Sequence, residues 1–387
     1  MSNNKTLFVL KRASMGGSCA SLINLLSLYK EQGRVYDLFL MDHTGEWTDE
    51  IRPYANLLPA DVELEASVMP KEHLKTLRQR VHRVLFTLSH RLRKPRRPYE
   101  ALYKRCAKRL TGYDHVIAYQ ESETTEFVRF IPCPHRIAFM HNDVERFWLY
   151  KDKSGLQKFY EPFQDIACVS DACVQSVRRY MTWPEEHLHW IRNTLPEGRL
   201  RERSLAPVAP SEEKAKPFLF VSVGRMAPQK AFERIPRAAR LLKQKGLVFD
   251  WYVLGDGPDK EMLVQEVAAC DVQDCVHLLG ARMNPHSYVR IADCLVITSN
   301  YEAQPMVANE SLILDTPVIS TEFSSVREVI RDGEIGLIVP QTPEALAEAM
   351  ERFMTDAALR ETLTRGANEF RYPNDKELQA IDRLIEA

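Results

Sequence analysis

No stretch of this sequence approaches the roughly 18 consecutive apolar residues that a membrane-spanning helix needs. The N-terminal run Leu7-Phe-Val-Leu10 is likewise too short for the core of a secretion signal, so the expected compartment is the cytoplasm. Eight cysteines are present without a Cys-x-x-Cys pair, and several lie in apolar stretches where a reduced thiol packs as a small hydrophobe. A structural zinc site and a disulfide framework are therefore not expected. Short repeats and low-complexity tracts are missing, which sets aside solenoids and disordered tails. An excess of charge of one sign is missing too, since the net charge is -1.

What is present fits an ordinary globular protein: 45% hydrophobic and 27% charged residues over a chain of 387, long enough for two domains of roughly 150–200 residues each. Short apolar strands alternate with amphipathic helices, the pattern of parallel sheets with helical crossovers. Strands are expected in the first half at Thr6–Leu10, Tyr36–Met41, His115–Tyr119, Arg136–Met140 and Asp165–Val169. In the second half they are expected at Phe218–Val223, Phe249–Leu254, Val276–Leu279, Cys294–Thr298, Pro317–Thr321 and Gly336–Val339. The Pro- and Ala-rich stretch from Leu205 to Pro217 reads as a linker. The expected organisation is an N-terminal domain over 1–203, a linker over 204–217, a C-terminal domain over 218–368, and a terminal helix within 369–387 packing back on the first domain.

The balance of charge is uneven along the chain. From Lys71 to Arg109 there are fourteen Lys and Arg against two acids, interleaved with Leu74, Leu77, Val81, Leu85 and Leu88. Such a block reads as a basic amphipathic helix suited to an anionic membrane surface, with a solvated charged face as the other reading. Nucleic acid is not an expected partner, because no base-reading motif accompanies the charge.

Chemistry concentrates in the second half. The strand Phe218–Val223 runs into a loop that delivers Arg225 and Lys230, two cations placed at the carboxyl end of a parallel strand to neutralise phosphates. Glu302 and Glu310 follow, with Pro305 between them starting a helix, and the free N–H groups of that helix's first turn make an anion site. In Trp251-Tyr-Val-Leu-Gly-Asp-Gly-Pro258 the glycines read as serving the turn itself. In the first half, Gly16 and Gly17 follow the first strand, where they serve either a turn needing positive φ or a close backbone approach to phosphates. His141 ends the strand Arg136–Met140, and Ser170 stands as a helix N-cap.

These pieces in this order resemble the retaining glycosyltransferases of family four. They run from Val223-Gly-Arg-Met and Lys230 through Gly255-Asp-Gly-Pro258, Val276-His-Leu-Leu-Gly280 and Ala292-Asp293 to Glu302–Glu310 and Pro317-Val-Ile. The likeness is strong from about Phe218 to Met354 and looser before it. It implies an α/β GT-B fold, two Rossmann-like domains with parallel sheets facing a central cleft. It also implies retaining, metal-independent transfer of a hexose or N-acetylhexosamine to a glycan or lipid-linked acceptor, in cell-surface polysaccharide or glycoconjugate synthesis. The donor would be a nucleoside diphosphate sugar, with UDP the commonest nucleotide in the family, and no cofactor is implied.

By this resemblance His141, Arg225, Lys230 and Glu302 would be the catalytic group. Gly16, Gly17, Gln304, Pro305, Met306, Val307 and Glu310 would bind the donor. Peripheral attachment at the inner face of the cell membrane through 71–109 would suit a lipid-linked acceptor. Three residues depart from the family pattern: Ala303 after the first glutamate, Asp315 two before Pro317, and Ala231 after the lysine. Three alternatives stay open: a non-catalytic partner of another glycosyltransferase, a different enzyme of the same fold such as a nucleotide-sugar epimerase, and, least favoured, a basic nucleic-acid-binding protein.

Overall fold

The computed structural model describes residues 4–74, 76–93, 99–144 and 153–386. Lys94, Arg96 and Arg97 of the basic block lie outside the described residues. The chain divides into two compact units, one of residues 1–194 with 374–387 and one of residues 195–373.

The first unit is built on a seven-stranded parallel sheet. Its strands are β1 (Thr6–Arg12), β2 (Asp37–Asp42), β3 (Asn56–Leu57), β4 (His115–Ala118), β5 (His135–Met140), β6 (Asp165–Cys168) and β7 (Leu188–Trp190), in the order β3-β2-β1-β4-β5-β6-β7. Successive residues of β1 point to opposite faces, Leu7 and Val9 into one core and Phe8 and Leu10 into the other. A sheet covered on both faces needs apolar residues at nearly every position, and this is why these strands read as continuous hydrophobic runs. Two edge strands went unforeseen. At two and three residues, β3 and β7 are too short to carry a pattern, and backbone pairing with β2 and β6 holds them.

The second unit carries a six-stranded parallel sheet. It contains β8 (Leu219–Val223), β9 (Asp250–Leu254), β10 (Val276–Gly280), β11 (Cys294–Ile297), β12 (Val318–Thr321) and β13 (Gly336–Val339), in the order β10-β9-β8-β11-β12-β13. Both sheets are therefore doubly wound. In each, the order reverses beside the first strand, between β1 and β4 and between β8 and β11, and the carboxyl end of such a switch point is where open α/β sheets take their ligands.

The boundary falls elsewhere than the Pro- and Ala-rich stretch suggests. Residues 204–217 lie inside the second unit, tied to it by Arg282–Glu212 at 2.6 Å, Lys214–Asp293 at 2.7 Å and Lys216–Asp250 at 3.0 Å. Charged residues that suggested a solvated linker are instead matched to partners on β9 and on the loops flanking β10 and β11. The second unit also extends past 368, because Phe370 and Tyr372 pack with Leu195, Leu200 and Ile313. The terminal helix Asn374–Glu386 belongs to the first unit. Leu378, Ile381, Leu384 and Ile385 join the core beneath β1, and Arg34 pairs with Asp382 at 2.6 Å.

Candidate functional site

In the second unit the predicted residues gather at the switch point. Arg225 and Lys230 lie on the loop after β8 and Glu302 on the loop after β11, with Pro305 capping the helix Met306–Ile313 that carries Glu310. Pro305 sits one position before the helix rather than in its first turn, so Met306 and Val307 supply the opening N–H groups. Gln304 Nε2 donates to the Tyr372 hydroxyl at 2.9 Å, which fixes the approach to this helix.

Lys230 and Glu302 turn out to be one unit. Lys230 Nζ stands 2.6 Å from Glu302 Oε1, with only 19% and 9% of the two side chains exposed. Ser299 Oγ donates to the same oxygen at 2.6 Å, and Gln229 Nε2 to Glu302 Oε2 at 3.1 Å. The carboxylate is thereby oriented and charge-balanced from inside the protein. Arg225 is exposed, and among the described residues no hydrogen bond or ion pair engages it. Further along, His286 Nε2 stands 3.6 Å from Glu310 Oε2.

Hydrogen bonds from backbone and side chains stitch the two loops together. Asn300 N donates to Gln229 O and Asn300 Nδ2 to Pro228 O, each at 2.8 Å, while Thr298 Oγ1 donates to Lys230 O at 2.6 Å. Arg234 donates to Thr298 O at 2.5 Å and to Asn300 Oδ1 at 2.6 Å. The loop after β9 joins them through Met226 N to Asp256 O at 2.9 Å and Asp259 N to Met226 O at 3.0 Å. Here the sequence reading of the glycines is incomplete. A Cβ at Gly255 would fall 1.8 Å from Gly224 O, and one at Gly257 would fall 2.2 Å from Met226 O, with φ of +148° and +159°. Both are glycine because two loops touch backbone to backbone.

The family departures at Ala231 and Asp315 have a geometric meaning. Each holds a left-handed backbone, φ +49° and +62°, a conformation that glycine adopts freely and other residues adopt at some strain. Asp315 is held by Arg201 through a two-pronged pair at 2.7 and 3.0 Å.

In the first unit, Gly16 and Gly17 open the helix Gly17–Glu31 after β1. Gly16 has an extended φ of 167°, and no atom lies within 4 Å of a Cβ built on either glycine. Neither turn geometry nor internal packing demands them, which removes the positive-φ reading. Ser170 caps the helix Asp171–Tyr180, accepting from Cys173 N at 3.1 Å. His141 ends β5, with its ring against those of Tyr119 and Phe139 and its Nε2 buried without a hydrogen-bond partner among the described residues. Burial pushes its pKa down to about 4, so the imidazole is neutral near pH 7.

Sequence reasoning missed Glu121, just past β4. It is 5% exposed and accepts from the backbone N–H groups of His141 and Asn142. The motif Tyr119-Gln-Glu-Ser122 reads as an ordinary polar loop. Its position after the strand at the switch point was the available signal.

Two doubly wound parallel sheets, the second with Arg225, Lys230 and a helix N-terminus at its switch point, define the class of open α/β proteins. Residues 208–370, which lie within the second unit, match the family of glycosyl transferases group 1. An alpha-D-kanosaminyltransferase of Streptomyces kanamyceticus is 31% identical over 217 residues, 52% of this chain and 54% of that protein. The lipopolysaccharide core biosynthesis glycosyltransferase LpsD of Rhizobium meliloti is 27% identical over 245 residues, 62% of this chain and 66% of that protein. The chain thus matches between about half and two thirds of the length of these curated relatives. Among solved structures, HepE of Anabaena in complex with UDP and glucose superimposes with a TM-score of 0.75 at 16% identity, covering 99% of this chain and 100% of that one. The likeness is one of fold, and the fold is GT-B.

Proposed function

We propose that the protein is a retaining glycosyltransferase that moves a hexose or N-acetylhexosamine from a nucleoside diphosphate sugar, with UDP as the nucleotide, to a glycan or lipid-linked acceptor of a cell-surface polysaccharide. The observation that carries this reading is the switch point of the second unit. There the exposed Arg225, the buried Lys230–Glu302 pair at 2.6 Å and the N–H groups opening the helix at Met306 surround one loop cluster. A diphosphate leaving group develops charge as the glycosidic bond breaks. Fixed cations and a helix N-terminus stabilise that charge with little reorganisation, because the loops are already tied together. Glu310 suits the ribose hydroxyls as an acceptor. Glu302, with the backbone from Gln304 to Val307, suits the sugar and its phosphate.

On the first unit, the neutral His141 holds a buried ring nitrogen that a sugar hydroxyl would satisfy once it enters beside the end of β5, and the open space before Gly16 and Gly17 lets a phosphate approach the backbone. Retention follows in this reading from front-face substitution, with the departing phosphate helping to deprotonate the acceptor. No metal or cofactor is called for, since the cations meet the diphosphate. The relatives named above act in glycosyl transfer, and HepE was solved with UDP and glucose, which supports the choice of donor class.

A thermal-shift and calorimetric screen of UDP-, GDP- and ADP-sugars tests the reading. A donor at about 100 times its Kd should add about 2.7 kcal/mol to stability, and no response to any nucleotide sugar removes the proposal.

An anionic membrane is the proposed site of work, and the helix Leu77–Arg93 carries that part. Gln79 and Arg83, bonded to Glu65 Oε2 at 3.2 Å and Ser67 O at 2.5 Å, and Phe86, stacked on Tyr99, seat one face of it. The spacing of 79, 83 and 86 puts them on one side. Leu77, Val81, Val84 and Leu85 fall opposite, 79%, 48%, 56% and 58% exposed, with exposed Arg78 and Arg80 on the flanks. An apolar stripe turned outward between cations matches an anionic bilayer. Replacing Leu77 and Leu85 together by Asp should abolish co-sedimentation with phosphatidylglycerol vesicles. Unchanged sedimentation would leave the helix as ordinary surface.

A further inference from the structure

The buried Glu121 has no part in the donor site, yet it sits directly beneath the segment that carries His141. Its Oε1 accepts from the backbone N–H of His141, from Asn142 N at 2.8 Å and from Asn142 Nδ2 at 3.5 Å. One carboxylate oxygen therefore holds both peptide groups at the point where β5 turns into its loop. The next residue, Ser122, takes φ +67° and ψ -121°, a backbone that side-chain-bearing residues rarely adopt. That turn directs residue 121 inward and then starts the helix Glu123–Val128.

We infer that Glu121 is a positioning residue for His141, clamping the backbone of the 141–142 turn so that the imidazole is presented at a fixed place, and that its ionisation sets the firmness of the clamp. This inference rests on the reading of His141 as a group that meets the transferred sugar.

The ionised carboxylate is the better acceptor for two peptide N–H groups, and charge-assisted bonds of this kind are shorter and about twice as strong as neutral ones. Burial opposes ionisation and raises the Glu121 pKa to about 7, while the amides of residues 121, 141 and 142 pull it partly back. Surrounding groups do little to offset this. Tyr119, just past β4, donates to or accepts from Ser21 at 2.8 Å, and Cys173 on the neighbouring helix keeps its proton because its hydrogen bond with the Cys168 thiol, burial and nearby anions disfavour the thiolate. Asp143 follows on the same loop, and Glu123 on the adjoining helix is neutralised by Lys11 at 2.7 Å. Among the described residues no Lys or Arg forms an ion pair with Glu121. The clamp therefore tightens as pH rises through about 7, the direction in which the buried acid loses its proton.

The test uses the full chain, with Glu121→Gln and Glu121→Ala compared with wild type. Glutamine keeps an acceptor oxygen but cannot ionise; alanine removes the clamp. Expected for Glu121→Ala is a fall in kcat of about 10- to 100-fold with UDP affinity unchanged, on the scale of a misplaced reacting group. Glu121→Gln should restore most of kcat and flatten the rise in kcat between pH 6 and 8. Equal kcat in wild type and Glu121→Ala, or a rise that persists in Glu121→Gln, overturns the proposal.

A second readout does not need sugar transfer. The amide resonances of His141 and Asn142 should titrate near pH 7 in the wild type and stay flat in Glu121→Gln. If they do so while no transfer is detected, the clamp stands and the catalytic reading of His141 fails. If they do not titrate in the wild type, the clamp itself fails.

Discussion

The loops after β8 and β11 exchange backbone and side-chain hydrogen bonds from Gln229, Lys230 and Arg234 to Thr298, Asn300 and Glu302, and glycines let a third loop press against them. At the corresponding end of the first unit, the space before Gly16 and Gly17 is empty, and His141 Nε2 is buried without a partner among the described residues. The same winding order thus supports two kinds of loop. One set is rigid before any ligand arrives. The other keeps open space and an unused polar atom, as suits a surface completed by its ligand. Preorganisation is worth most where charge changes during reaction, and the charged residues are indeed on the tied loops.

Substitutions at the cations should separate the two contributions of the tied loops. Arg225→Ala should lower kcat/KM by about 10²- to 10³-fold, the scale of losing one group that stabilises developing charge. Stability should stay unchanged, because the guanidinium is exposed and makes no ion pair among the described residues. Lys230→Ala should produce a similar fall together with a loss of about 3–5 kcal/mol, since a buried Glu302 is left without its cation. Steady-state kinetics beside denaturant unfolding decide this. Equal stability loss in both variants would contradict the exposed and paired assignments, and full activity in Arg225→Ala would remove it from the donor site.

Glycine replacements compare the two units directly. Gly255→Ala places a methyl group on the Gly224 carbonyl and should destabilise the second unit by about 1–3 kcal/mol, because the conformation disfavours a side chain and the facing loop must retreat. Gly16→Ala meets nothing within 4 Å and should leave the unfolding midpoint in place. If the donor phosphates approach that backbone, Gly16→Ala should instead weaken nucleotide-sugar binding about tenfold. A destabilised Gly16→Ala, or a Gly255→Ala as stable as wild type, would reverse the contrast between rigid and open loops.

Most of the architecture was readable before any coordinates because each buried parallel strand must be apolar on both faces. Runs such as Phe218–Val223 and Cys294–Thr298 leave little room for another reading. The edge strands β3 and β7 were invisible for the opposite reason: few side chains of theirs enter a core, and pairing of main-chain groups leaves no trace in residue type. Arg225, Lys230, Glu302 and Glu310 were legible as charges at strand ends, but their partnership was not. That Lys230 and Glu302 neutralise each other depends on how two loops more than seventy residues apart fold together. Glu121 stayed hidden because an acid in a loop is ordinarily solvated, and only its place under the His141 turn makes it buried. In the same way, the segment 204–217 has the composition of a linker and becomes part of a domain only through ion pairs with residues far along the chain.

The smallest effects concern the two left-handed residues that stand where the resembling family often has glycine. Ala231 is fully buried at φ +49° and has no side-chain partner to justify the strain. Replacing it by glycine relieves about 1–2 kcal/mol of backbone strain but enlarges the conformational freedom lost on folding, leaving a net gain of about 0.5–1 kcal/mol. Asp315 is strained to a similar degree at φ +62°, but its carboxylate accepts two hydrogen bonds from Arg201. Asp315→Gly trades relief of strain against loss of a half-exposed ion pair worth about 0–1 kcal/mol, so its midpoint should move less than that of Ala231→Gly. Denaturant midpoints of the two variants measured side by side give the order. A larger gain at Asp315 than at Ala231 would mean that the Arg201 pair contributes nothing, and that glycine's absence there reflects neither packing nor charge.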